Sequence, residues 1–119
     1  MSHTIDSANY VSSDAIVGTG GTTISGNRYL IRIGNVVFLS GILTTDSMTR
    51  SFTGQIVPID GRPANNMNVP VVAYQSGSGS QTVRLAGRMY ISTDGSFTIT
   101  LAEGVTANNF IITGTYTNA

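Results

Sequence analysis

V-R-L-A-G-R-M-Y-I-S-T-D-G-S-F-T-I-T-L, running from Val83 to Leu101, is the stretch whose reading decides the fold. Val83, Leu85, Met89 and Ile91 fall on one face of an extended chain, and Arg84, Arg88 and Tyr90 on the other, because successive strand side chains alternate sides. Ser92, Thr93, Asp94 and Gly95 then supply turn chemistry, since Asp bonds nearby backbone and Gly accepts a positive φ. Ser96 to Leu101 returns with the same period of two. The stretch therefore reads as an antiparallel hairpin with one apolar face and one face that carries two arginines and a tyrosine.

Outward from this hairpin the same pattern recurs. In Arg28 to Leu43, Tyr29, Ile31 and Ile33 alternate with Leu30 and Arg32, Gly34-Asn35 makes a two-residue turn suited to type II′ geometry, and Val36 to Leu39 comes back. This returning arm, V-V-F-L-S-G-I-L, is apolar at both parities, so both of its faces need cover. One cover is the opposite sheet; a neighbouring subunit or the centre of an ordinary sandwich accounts for the other. Ser51 to Ile59 reads as a strand with Phe52, Gly54 and Ile56 on one face, ending at Pro58. Asp60 to Asn68 reads as a loop, with Asp60 and Arg62 stabilising its turn, Pro70 to Gln75 as a strand and Ser76 to Ser80 as a Gly-Ser turn. Glu103 to Asn108 reads as a loop. Phe110 to Tyr116 reads as a last strand, with Phe110, Ile112 and Tyr116 directed to the core.

No segment has a 3.6-residue period, so helix is not expected. The pattern predicts an all-β domain, a small antiparallel β-sandwich or β-barrel of about seven to eight strands. The expected division is a polar arm over residues 1–26, holding at most one short strand from Asp14 to Val17, and a single head domain over residues 27–119.

Composition narrows the function. The 119 residues suit one domain, which buries only about two thirds of its unfolded surface, so a partner subunit would help its modest core. Six arginines, with no lysine, balance six carboxylates. That neutrality argues against nucleic acid or anionic lipid as a partner, because both need clustered positive charge. Ser, Thr, Asn and Gly supply the surface instead, a composition suited to meeting sugars or other copies of the chain. No apolar run approaches the roughly 20 residues that span a bilayer, so membrane insertion is not expected.

Catalysis has little to work with. A glycosidase needs two carboxylates held a few ångströms apart, whereas the acids here are scattered among turns and loops. The one histidine, His3, lies in the arm, there is no cysteine, and neither a nucleophile elbow nor a calcium loop occurs. The expectation is a non-enzymatic protein with no cofactor and no metal. Sugar binding, by contrast, needs a planar apolar face for the C–H side of the ring and flat polar groups for paired hydroxyls. Arg84, Arg88, Tyr90 and Asp94 offer that mixture, and Tyr74 on the preceding strand adds either a second aromatic or another core residue. The alternative reading of Arg84, Arg88, Tyr90 and Asp94 is an ordinary solvated strand face.

From Tyr29 onward the order of signals carries a resemblance. R-I-G-N-V-V-F-L-S-G (Arg32 to Gly41), I-D-G-R-P-A (Ile59 to Ala64), Y-I-S-T-D-G-S-F-T-I (Tyr90 to Ile99) and I-T-G-T-Y (Ile112 to Tyr116) follow one another over about the last ninety residues. In this order they resemble the C-terminal head domain of receptor-binding proteins on the baseplates of siphophages that infect Gram-positive bacteria, the lactococcal ones in particular. The resemblance implies a homotrimer of β-barrel heads, located on the virion at the phage tail or baseplate. It also implies partners among other baseplate and tail proteins and binding of host cell-surface saccharide or polysaccharide. In such heads the strand before the Asx-Gly turn presents polar and aromatic residues to the sugar, and the matching positions here are Arg88 and Tyr90. Such heads often use Trp and His in the site, whereas this chain has no Trp and its one His lies in the arm. A purely structural tail or baseplate domain is the rival expectation, and a monomeric bacterial carbohydrate-binding module a third.

Overall fold

The computed structural model describes residues 9–76 and 84–119. Its ten strands are β1 (Asn9–Ser12), β2 (Ile16–Thr19), β3 (Ile24–Ser25), β4 (Arg28–Ile33), β5 (Val36–Thr49), β6 (Ser51–Ile56), β7 (Met67–Tyr74), β8 (Leu85–Ile91), β9 (Ser96–Leu101) and β10 (Ala107–Thr117). A single 3-10 turn, Ile59–Gly61, is the one helical element among the described residues. All pairings are antiparallel, in the order β1-β4-β5-β10-β7-β8-β9-β6-β2, with β3 beside β5. The sheet curls into a half-barrel around one apolar core.

The all-β expectation holds, in its barrel-like rather than its sandwich form, because a single sheet curls on itself. The strands number ten instead of seven or eight, since residues 9–26 supply three strands where at most one was expected. The physical reason lies in Ala15, Ile16 and Ile24, which are all buried. Ile24 lies between Thr23 and Ser25, and β1 carries Asn9 and Ser12, so the segment looks polar in composition although its buried positions are apolar. Gly20 and Gly21, with φ of 65° and 86°, make the turn between β2 and β3. The first eight residues of the expected arm, Val83 and most of the expected Gly-Ser turn lie outside the described residues.

The two hairpins read from the sequence form as expected. Gly34 has a φ of 60° and among the described residues no non-glycine residue, Asn35 included, has a positive φ, as a type II′ turn at Gly34-Asn35 requires. In the other, the Asp94 carboxylate accepts from the Ser96 amide at 3.0 Å and its hydroxyl at 2.7 Å, and Gly95 takes a φ of 87°. β7 differs from expectation by starting at Met67, and it runs straight through Pro70. Proline is tolerated inside this sheet because pairing between β10 and β7 ends at Val71; at Pro70 the strand is bonded to β8 alone.

Core-facing residues follow the period of two. Leu30, Leu39, Leu43, Ile56, Met89, Ile91, Ile99, Phe110 and Ile112 are fully buried, and Tyr116 is buried with its hydroxyl donating to the Gly61 carbonyl at 2.6 Å. Phe52 and Phe110 meet edge to face with centroids 4.9 Å apart, a geometry worth about 0.5–1.5 kcal/mol beyond area burial. Asp60 turns out to bond across the fold rather than to Arg62. It accepts from Arg32 at 2.7 Å and from the Tyr10 hydroxyl at 2.7 Å, while Arg62 donates to the Ile56 and Val57 carbonyls.

Candidate functional site

The outward-facing positions divide the surface of the sheet into two unlike halves. Over β1, β4, β5, β10 and β7 they are mostly apolar: Val11, Tyr29, Ile31, Ile33, Val36, Phe38, Ile42, Ile111 and Val72. Arg28 and Arg32 take the opposite parity on β4 and bond at the rim of the core, which leaves Asp46, exposed toward the end of β5, as the one charged side chain on the outer side of these strands. Over β7, β8, β9, β6 and β2 the outward rows are polar. One runs Asn68, Tyr90, Thr98, Thr53, Thr19, and the next runs Pro70, Arg88, Thr100, Ser51.

β8 presents the residues singled out in the sequence. Arg84 precedes it and stacks its guanidinium over the Tyr74 ring, 4.8 Å from the centroid, so Tyr74 belongs to the outer face and is half-buried there. Arg88 and Tyr90 are neighbours on that face, roughly 7 Å apart along the strand, and Tyr90 is 40% exposed. Asp94 lies past the far end of β8, in the turn. Its carboxyl is held below the ordinary carboxylate range first by the Ser96 hydroxyl bond and then by the Ser96 amide. The structure thus pairs Tyr74 with Arg84 and Arg88 with Tyr90, and it commits one oxygen of Asp94 to the turn.

Arg50 was missed in the sequence. It occupies the single-residue connection between β5 and β6, and with Ala86, Gly87, Arg88, Thr100, Leu101 and Ala102 it lines an open groove of about 420 Å³. Ser51 opposite Thr100, and Thr100 opposite Arg88, bring the two arginines to the two sides of β9. Only that register could have revealed the pairing, since Arg50 and Arg88 lie in different hairpins. A second cavity of about 140 Å³, lined by Thr22, Thr23, Thr45, Asp46 and Ser47 among others, is below the size of ordinary ligand sites. Among the described residues no group of three or more His, Cys, Asp or Glu is placed to hold a metal ion.

Chemically, the polar half offers an exposed aromatic ring, guanidinium groups able to donate in pairs, and a field of hydroxyls that both donate and accept. Comparisons of the chain with protein-family models, with curated proteins and with solved structures gave no match.

Proposed function

We propose that this chain is a phage-tail receptor-binding head that recognises saccharide of the host cell wall without catalysis, acting on the virion as a homotrimer beside other tail or baseplate proteins. The observation that carries this reading is Tyr90, exposed between Asn68 and Thr98 with Arg88 next to it on the same face. An aromatic ring flanked by a guanidinium, an amide and hydroxyls suits a sugar, which has one apolar and one hydroxyl-bearing side. Each such site on an open sheet is weak, and several copies on one particle raise the avidity.

Self-association draws its support from the other half of the outer surface. Its apolar positions project over roughly 300 Å² at ordinary strand spacings, over a third of the ~800 Å² that each partner gives to a standard interface before any rim is counted. A patch of this extent compares with the largest that a typical monomer exposes, and such patches are often functional. With no arginine on it, the patch suits a second copy of itself.

The test is retention of the purified chain on intact Gram-positive cells and on walls stripped of polysaccharide. Binding that disappears on stripping, and that weakens about tenfold in Tyr90→Ala or Arg88→Ala with circular dichroism unchanged, is the expected result. Undiminished binding in both variants removes these residues from the site. The second reading, a structural domain that only joins virion proteins, is favoured by the apolar half, which another tail protein would cover equally well. An oligomer that ignores every wall preparation yet binds a tail or baseplate protein would select it.

A further inference from the structure

We propose that the cavity between the β2–β3 turn and the bent end of β5 is a binding site for a primary ammonium group on a short carbon chain. The site shares no residue with the β8 face, and it stands whether or not that face binds saccharide.

A large bulge builds the cavity. Thr44 pairs with Asn109 and Thr49 with Ala107, so residues 45–48 of β5 stand opposite Asn108 alone, where an ordinary bulge sets two residues against one. The Thr45 hydroxyl closes the bulge by donating to the Ser47 carbonyl at 2.8 Å, with Asp46 at the apex of that turn. On the other strand Ile24 pairs with Thr45, which sets Thr22 and Thr23 beside the bulge. The volume between them is about 140 Å³, and the buried ring of Phe52 supplies its apolar wall.

Its polar groups are set to accept. Thr45 is buried, and its one hydroxyl proton is committed to the Ser47 carbonyl; the Thr49 hydroxyl likewise donates to the Ser51 carbonyl at 2.9 Å. A hydroxyl whose proton is committed keeps only lone pairs for a ligand. Thr49 uses one of these on the Ser51 amide at 3.3 Å and retains the other. The Asp46 carboxylate also only accepts, so these three side chains present acceptors together with a single negative charge. A primary ammonium group is the complement, with three N–H donors and one positive charge. None of the described basic residues lines the cavity; Arg50, next to Thr49 in the chain, lines the open groove instead. The one ion pair among the described residues belongs to Arg32 and Asp60, so Asp46 has no cation of its own there. An anion would therefore meet a carboxylate and no arginine. A calcium ion asks for about six to eight oxygens, with carboxylates prominent among them, and this cavity is lined by one carboxylate. Its volume exceeds that of a bare ion and falls short of the ~300 Å³ at which ordinary ligand pockets begin, which leaves room for the ammonium and a few carbons against Phe52. The chain contains no lysine, so another copy has no such side chain to offer and the ligand is a separate molecule.

The experiment titrates the isotope-labelled intact chain with ethanolamine and follows its amide resonances by nuclear magnetic resonance. Three controls accompany it: N-acetylethanolamine, which lacks the charge, ethylene glycol, which has a hydroxyl in place of the ammonium, and calcium chloride. The expected result is a saturable shift confined to Thr22, Thr23, Asp46, Ser47 and their neighbours with ethanolamine, and little response to the two uncharged molecules. Asp46→Asn keeps the shape of an exposed side chain and should lower the affinity about tenfold, while Thr49→Val, which removes one acceptor, should lower it by less. Resonances elsewhere in the sheet, unchanged in both variants, establish that the fold is intact. An equal response to N-acetylethanolamine, or undiminished affinity in Asp46→Asn, overturns the assignment. So does calcium if it produces the same shifts at lower concentration, since the cavity would then be a metal site. Absence of any saturable shift at these residues overturns the site altogether.

Discussion

Arg28 of β4 donates its Nε to the carbonyl of Ile16 in β2 at 2.9 Å, across the seam where the two ends of the curled sheet approach. The strands themselves are not paired there, so a side chain supplies the donor that the next strand of a closed barrel would have given. A second terminal of the same guanidinium reaches the Gly26 carbonyl at 3.0 Å. Replacing Arg28 with Met keeps most of the aliphatic stem and removes both bonds. The expected cost is about 1–3 kcal/mol, read as a lower urea midpoint with an unchanged slope; an unchanged midpoint would show that the seam is held by apolar packing alone.

Gly54 of β6 stands opposite Phe97 of β9, and the ring of Phe97 occupies the space where a Cβ at residue 54 would be. Gly54→Ala should therefore destabilise the fold by about 1–3 kcal/mol through overpacking. Shortening the ring in the double variant Gly54→Ala/Phe97→Leu should recover part of that loss relative to the sum of the single changes. Strict additivity in this cycle would rule out the clash as the cause.

Tyr10 titrates late. Its hydroxyl is pushed up to about 12, first by burial and then by its bond to Asp60, whose charge adds to the effect while Arg32 opposes it. A proton held more tightly in the folded state stabilises the fold fully below the unfolded tyrosine value near 10 and ceases to do so as pH rises through about 12. The difference in ultraviolet absorbance between wild type and Tyr10→Phe should show the delayed midpoint, and Asp60→Asn should bring it down. A Tyr10 midpoint near 10 in the folded chain would refute the bond.

Phe38 is 36% exposed at the centre of the apolar outer half. Phe38→Asp should leave the core untouched and place a carboxylate in any surface that copies share, costing several kcal/mol per interface. Sedimentation should then show monomers where the unmodified chain assembles, with circular dichroism unchanged. Assembly that survives this substitution would locate the contact elsewhere.

Most of the fold was legible because the period of two is unbroken in β4, β6, β8, β9 and, from Phe110 onward, β10, and because Gly34 and Gly95 mark their turns by chemistry only glycine supplies. β3 was hidden by its neighbours, since one buried isoleucine in a run of Gly, Thr and Ser does not make a pattern, whereas β2 overlaps the one short strand read there, Asp14 to Val17. Pro70 concealed the start of β7, since the local rule that ends strands at proline does not know where the neighbouring pairing stops. At the candidate site the side on which Arg88 and Tyr90 lie could be read from alternation alone. Arg50 could not, because what brings it to Arg88 is the register of three strands and not any local signal.

β10 is bonded to β5 on one side and to β7 on the other, yet it follows every other strand in the chain. Until it is in place, the strands before it can form only two separate ribbons, each with a raw edge, at β5 and at β7. Folding must then close long loops before it gains its central pairings, which makes it slow and non-local. A chain caught at that stage offers its open slot to the β10 of a neighbour, so exchange of this strand between copies is the characteristic misassembly to look for at high concentration.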